Sequence, residues 1–461
     1  MSGVIELPVW LAILGALALC IAALDRILAP SFRWFFRRRL HRAVNELNKR
    51  LQLQIQPFKL MRRQELIDRL VYDPEVTQAA EDYIRDTGMP RDLVIRQIQI
   101  YAKEITPSFS ALIYFTIGAR LAKWVSRFLY RVRLGHVDEN ALTNIDKDAS
   151  VVFVMNHRSN VDYILITYLA STSSALSYAV GEWAQIWPLS RLIRAMGAYF
   201  IRRKSRDALY RAVLRRYVQL STVGGVAQAI FPEGGLSRDG YLGPPKLGLL
   251  NYIVEGFDPN GPRDVVFIPV GLNYDRVMED RLLIRAAAAE GKPKFRVSPF
   301  GAMGFTLKFV LGRITGRIHR FGYACVSFGA PMSLRKFLTT NPEAPTEALG
   351  DELSRCIGAV VPALPTPLIA QVLLDAGQEG LSFADVKANV DKLVSHVESA
   401  GGHTHIPRDS FDYAVEFGMK MLTTRYIVVE EAGIYRPAAQ ESAILQYYAA
   451  SIAHLTGRKT G

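Results

Sequence analysis

The chain has 461 residues, nearly half of them hydrophobic, and carries 56 Lys and Arg against 43 Asp and Glu. That length allows two or three domains with a large core, and the net charge of +13 points to an anionic partner: nucleic acid, anionic lipid or a phosphorylated substrate. Three cysteines, Cys20, Cys325 and Cys356, have no metal-ligand spacing and exclude a disulfide framework, which fits a reducing cytoplasmic compartment.

Leu7 to Leu24 is an apolar run of about 18 residues, just long enough to cross a bilayer core. No Lys or Arg precedes it, whereas Arg26, Arg33, Arg37, Arg38, Arg39 and Arg42 follow. A cleaved signal peptide has the opposite order of charge, and the positive-inside rule puts the following residues in the cytoplasm. A helix lying in the interface is the other reading. Residues 1–36 are therefore expected to be a membrane anchor, on the cell inner membrane with the rest on the cytoplasmic side.

Residues 37–135 read as a helical region broken at Pro57, Pro74, Pro90 and Pro107. Within it, Phe109 to Tyr130 mixes Ile113, Phe115, Ile117 and Leu121 with Arg120, Lys123 and Arg127. Such a helix lies on an anionic membrane surface or packs its apolar face on the next domain.

Between 136 and 345, short β-branched runs alternate with helical stretches. Strands are expected at Val151–Met155, Leu176–Val180, Tyr199–Arg202, Val226–Phe231, Val265–Leu272 and Tyr323–Phe328, with helices over 161–171, 188–196 and 206–221. The alternation predicts an α/β domain, a mixed sheet with helices on both faces. Phe305 to Arg320 again combines apolar and basic residues. Residues 346–461 read as mainly helical, with helices over Phe383–Ala400 and Phe411–Thr424 and a hairpin over Tyr426–Tyr435 turning at Glu431-Ala-Gly433. Helices before a hairpin suggest a winged helix, and hence a membrane-tethered regulator as the rival of another class. The many acids of this part leave no basic recognition face, so no nucleic-acid partner is expected. His403-Thr-His405 has no third ligand, so no metal is expected. There is no internal repeat, P-loop or Gly-x-Ser-x-Gly elbow.

Four stretches of the α/β part share one logic, each joining a strand-like run to polar or glycine residues. They are Asn156-His157-Arg158-Ser159-Asn160-Val161-Asp162, Gly197 to Arg203, Phe231-Pro-Glu233-Gly234-Gly235-Leu-Ser237-Arg238, and Phe267-Ile268-Pro269-Val270. In the first, His157 sits where a strand ends and Asp162 one turn into the next helix, with Ser159 or Asn160 available as a cap. A neutral imidazole there can take a proton from a hydroxyl, and a carboxylate on its other nitrogen stabilises the imidazolium.

In this order, the four stretches resemble the motif blocks of the glycerolipid acyltransferases. The string Asn156-His157-Arg158-Ser159 with Asp162, the Phe-Ile-Arg202-Arg203 string, Glu233-Gly234-Gly235-x-Ser237-Arg238 and Pro245-Lys246-x-Gly248 are similar to the glycerol-3-phosphate 1-O-acyltransferase branch. The end, Leu445 to His454, is similar to the tail of its bacterial members. The resemblance implies acyl transfer from acyl-CoA or acyl carrier protein to glycerol 3-phosphate, giving lysophosphatidate for phospholipid synthesis, with no cofactor. It implies His157 as base, Asp162 as its orienter, and Arg158, Ser159, Arg202, Arg203, Glu233, Gly234, Gly235, Ser237, Arg238 and Lys246 around the substrates, with Arg203 favoured over Arg202 for the phosphate. Leu236 departs from the family pattern, where an arginine is usual, and Lys246 is the candidate replacement. Pro269 is expected to close its strand. A 1-acylglycerol-3-phosphate or dihydroxyacetone-phosphate acyltransferase is the neighbouring alternative.

Overall fold

The run Ser150-Val-Val-Phe-Val-Met155 is wholly buried and forms β2, the central strand around which the computed structural model is built. That structure describes residues 53–171, 174–181, 185, 189–202, 205, 207–288, 320–343 and 345–457. The Leu7–Leu24 run, Arg203 and all of Phe305–Arg320 except its last residue lie outside them.

Eight strands make the sheet: β1 (Arg131–Val137), β2, β3 (Ser177–Gly181), β4 (Tyr199–Ile201), β5 (Gln228–Ile230), β6 (Val265–Tyr274), β7 (Tyr323–Phe328) and β8 (Met332–Ser333). Their order is β1-β7-β6-β2-β5-β3-β4, with β8 on β6. All neighbours are parallel except β6 with β7 and β6 with β8. Parallel strands need their crossovers covered by helices, which is why the inner strands are near-continuous apolar runs. β1 was not anticipated; its Arg-Val-Arg-Leu-Gly-His-Val pattern is half polar because it is an edge strand.

Pro269 does not close its strand as expected. β6 continues to Tyr274, and Pro269 falls where β6 changes neighbour, from β8 at Val266–Phe267 to β7 at Val270–Tyr274. A proline is tolerated at such a gap because little is lost with its missing N–H.

The helices Arg63–Val71, Pro74–Thr87 and Arg91–Ile105 pack with Ala208–Val223, Gly248–Glu255 and Pro345–Val360 into one core with Val152, Val154, Ile230 and Phe267 of the sheet. Local signals set their ends. Asp73 accepts the Glu75 N–H with Pro74 at the first helical position, and Gly88 closes the same helix at φ 67°; Asp207 accepts from Leu209 and Tyr210. These are the expected caps. The helix Asp162–Ala170 packs instead on Ala119–Leu129, which continues from Ala111 through a π-helical turn at Tyr114–Gly118.

Beyond the sheet, the buried helix Pro365–Ala376 is surrounded by Phe383–Ser399, Phe411–Thr423 and Ser442–Ala450. β10 (Val428–Glu431) and β11 (Ile434–Pro437) form the expected hairpin, to which β9 (Leu381–Ser382) adds a third strand. Among the described residues no helix is long and apolar enough to cross a membrane.

Candidate active site

β2 ends at Met155, and Asn156 pins the exit: its amide donates to the Leu272 carbonyl at 2.9 Å and accepts the Leu272 N–H at 2.8 Å. The next residue, His157, is almost wholly buried. Its ring stacks on Phe231 with centroids 4.1 Å apart and meets the edge of Tyr163 at 5.3 Å.

Nδ1 of His157 lies 2.9 Å from Oδ2 of Asp162. That same oxygen accepts the backbone N–H of Arg158 at 2.7 Å and of Ser159 at 3.0 Å, while Oδ1 accepts the phenol of Tyr274. Four donors thus converge on one buried carboxylate. Because a carboxylate facing Nδ1 can only accept, Nδ1 carries the hydrogen and Nε2 presents its lone pair. Nε2 has no partner among the described residues.

The β5 exit wraps the same point. His157 donates its N–H to Oε1 of Glu233 at 3.1 Å, and its carbonyl accepts the Ser237 N–H at 2.9 Å. Oε2 of Glu233 accepts the Gly243 N–H at 3.3 Å. Burial pushes the Glu233 carboxyl up to about 7, opposed by the charge of Arg158 and these two N–H donors. Gly234 sits at φ 64°, with the Lys246 side chain where a Cβ would be. The N–H groups of Gly235 and Leu236 have no partner among the described residues, a pair of donors suited to an anion.

The side chains of several other expected site residues are engaged away from the open Nε2. Arg158 is fully buried; its guanidinium donates to the carbonyls of Gly240 and Ser451, tying the β5 exit to the C-terminal helices. Ser159 is buried and donates to Glu279 at 2.7 Å. Neither Ser159 nor Asn160 caps the following helix, whose N-cap is Val161; Ser159 accepts the Val161 N–H within the turn instead. The Ser237 hydroxyl donates to the Tyr241 carbonyl at 2.8 Å. Arg202 lies just past β4 and pairs with Glu104 at 2.5 Å between the rings of Tyr101 and Tyr210, so its charge is spent on the helical region. Arg238 and Lys246 are exposed.

Burial lifts the thiols of Cys325 and Cys356, to about 12 and 11, so neither is an activated nucleophile. His403 stacks on His136 at 4.1 Å, and no group of ligands able to hold a metal occurs among the described residues.

Reading the sequence missed Tyr274 and Glu279. Both lie at the end of β6 and the turn after it, contacting Asp162 and Ser159 more than a hundred residues earlier. Only the length of the β6 run hinted that its end reaches the site.

Residues 136–273 match the family model described as Acyltransferase, and residues 309–458 match that of the Glycerol-3-phosphate acyltransferase C-terminal region. Curated relatives include the glycerol-3-phosphate acyltransferase of Pseudoalteromonas atlantica, 28% identical over 74% of this chain and 41% of its own length. Those of Aeromonas hydrophila and Xanthomonas campestris are each 26% identical, over 90% and 91% of this chain and 53% and 48% of theirs. The chain thus spans about half the length of the curated relatives it matches. The solved 1-acyl-sn-glycerophosphate acyltransferase of Thermotoga maritima aligns with 64% of this chain and 96% of its own at 18% identity, with a TM-score of 0.32, too low to bear on the fold. The resemblance carried by the four motif blocks is borne out by the Acyltransferase model, and that of the tail by the C-terminal-region model.

Proposed function

We propose that this chain, with its acyltransferase domain and its glycerol-3-phosphate acyltransferase C-terminal region, moves a fatty acyl group from a thioester to the sn-1 hydroxyl of glycerol 3-phosphate. The observation that carries the reading is His157: Nδ1 anchored on a saturated carboxylate, Nε2 open, within a domain matched to that family. Nε2 takes the proton of the hydroxyl as its oxygen attacks the thioester carbon, and Asp162 stabilises the imidazolium. The free N–H groups after Glu233 can receive the carbonyl oxygen as it becomes negative. When the C–S bond breaks, the imidazolium returns its proton to the departing sulfur. Lysophosphatidate and the free thiol leave, and no protein nucleophile is consumed.

The acceptor's phosphate needs cations. With Arg158 and Arg202 engaged internally, Arg203, Arg238 and Lys246 are the side chains left for it. The donor is acyl-CoA or acyl carrier protein. Leu7–Leu24 and the basic helix ending at Leu129 would hold the enzyme on the inner membrane with the catalytic domain on the cytoplasmic side.

Acceptor competition tests the reading. With palmitoyl-CoA as donor, kcat/KM for glycerol 3-phosphate should exceed that for 1-acylglycerol 3-phosphate and dihydroxyacetone phosphate. A preference for either competitor would move the enzyme to the neighbouring reaction; the Gly235 that follows Gly234, where the 1-acylglycerol-3-phosphate branch usually has Thr, argues against that branch.

A further inference from the structure

A groove runs between the helix Ala119–Leu129, the start of β1 and the helix Asp162–Ala170. One half, a cavity of about 360 Å³, is lined by Arg127, Tyr130, Arg131, Arg133, Tyr168 and Arg320. The other, about 440 Å³, is bounded by Arg120, Lys123, Trp124, Arg127, Phe128 and Arg320. Arg127 and Arg320 belong to both.

The charge here is one-sided. Among the described residues no ion pair reaches Arg120, Lys123, Arg127, Arg131 or Arg133. Arg131 is held by neutral groups, donating to the Tyr413 phenol at 2.9 Å and lying over the rings of Tyr323 and Phe417. Asp275, buried beneath and holding backbone N–H groups of Tyr323 and Thr366, is the acid that feels Arg131. Cations in excess of the acids paired with them repel one another and attract an anion.

The apolar side is equally ordered. Ile117, Leu121, Trp124 and Phe128 follow at helical spacing, so they form one row; the first three are 55%, 43% and 57% exposed. The rings of Trp124 and Phe128 stack at 5.1 Å. Arg120, Lys123 and Arg127 form the adjoining row. A soluble nucleotide would fill the cationic half but leave the exposed row unused. A lipid uses both.

We propose that this groove holds one anionic phospholipid of the bilayer, its phosphate among Arg127, Arg131 and Arg133 and its chains along the row from Phe128 to Ile117. The proposal deepens the membrane part of the reading above and rests on it. The groove lies at the reacting edge of the sheet: β1 runs antiparallel to β2, and Arg131 pairs with Tyr323 at the start of β7, beside the end of β6. Tyr130, on its floor, packs on Tyr274 at 5.1 Å, the residue that holds Asp162. A lipid seated here turns the His157 edge toward the bilayer that receives the acylated product.

The test uses the full chain in neutral detergent with glycerol 3-phosphate saturating, titrated with short-chain phosphatidylglycerol or phosphatidylcholine. Phosphatidylglycerol should bind about tenfold tighter or more, since basic residues add attraction to anionic headgroups. The Arg127→Ala/Arg133→Ala pair should abolish that preference, Arg127→Lys/Arg133→Lys should keep most of it, and Trp124→Ala should weaken both lipids. All three should retain the wild-type melting temperature. Equal binding of the two lipids, or an undiminished preference in the alanine pair, would overturn the proposal. So would displacement of phosphatidylglycerol by adenosine 3′,5′-bisphosphate, which would assign the groove to a nucleotide. Binding is read without turnover, so a failure of the acyl-transfer reading would show separately in the activity assay.

Discussion

The phenol of Tyr274 donates to Oδ1 of Asp162, whose other oxygen holds His157 and two backbone N–H groups. The carboxylate is therefore fixed from four directions, and the imidazole inherits its orientation. Tyr274→Phe removes one donor to a charged acceptor, worth about 1.5–3 kcal/mol. If half of that is felt at the base, kcat falls by several-fold to roughly tenfold, with both KM values unchanged. A KM change without a kcat change would place Tyr274 outside the positioning of the base.

His157→Ala should lower kcat by about 10²-fold or more, the range for losing general-base catalysis. Asp162→Asn should be comparably severe. The amide can present its NH2 to Nδ1, which forces the hydrogen onto Nε2 and removes the lone pair that accepts the proton. Steady-state kinetics on folded variants, checked by circular dichroism, measures both.

Glu233 offers a pH signature. Its carboxyl is raised from 4.5 to about 7 in the folded chain, so the folded state binds the proton more tightly than the unfolded state. Its contribution to stability is fully present below pH 4.5 and is lost as pH rises through 7. Asp275 is raised to about 6 by burial and acts in the same direction, so the comparison must be with a variant. Glu233→Gln should flatten the fall in unfolding free energy between pH 4.5 and 7. Parallel pH curves for the two proteins would contradict the placement.

Two arginines should separate structure from binding. Arg158→Ala leaves the Gly240 and Ser451 carbonyls unpaired in the interior and should cost about 2–4 kcal/mol of stability. Arg203→Ala should leave the melting temperature alone and raise KM for glycerol 3-phosphate much more than KM for the thioester. Equal effects on both substrates would assign Arg203 a general electrostatic role.

A chain beginning near Arg37 should stay membrane-associated but be partly released by high salt, whereas the full chain should need detergent. Sedimentation with membranes decides this. A shortened chain that is wholly soluble at low salt would leave attachment to the Leu7–Leu24 run alone.

The inner strands and their helices were legible because burial on both faces demands unbroken apolar runs, as in Val151–Met155 and Tyr323–Phe328. Edge strand β1 was not, since half its side chains face water. The helices Pro345–Val360 and Pro365–Ala376 fall in the part read as mainly helical but were not delimited there; their prolines sit in first turns, which accept proline. At the site, His157 and Asp162 lie five residues apart and announce themselves. The resemblance put Arg158 among the substrate contacts, but its partners Gly240 and Ser451 are distant in sequence, and only the fold reveals that its charge is used inside. Arg202 was likewise claimed by Glu104, about a hundred residues earlier.

The most direct test of the central claim is product identification. Purified full chain, incubated with labelled glycerol 3-phosphate and palmitoyl-CoA or palmitoyl-acyl carrier protein, should form labelled lysophosphatidate acylated at sn-1, and His157→Ala should lose that activity. No lysophosphatidate from either donor, with a fully folded protein in lipid, or unchanged turnover by His157→Ala, would contradict it.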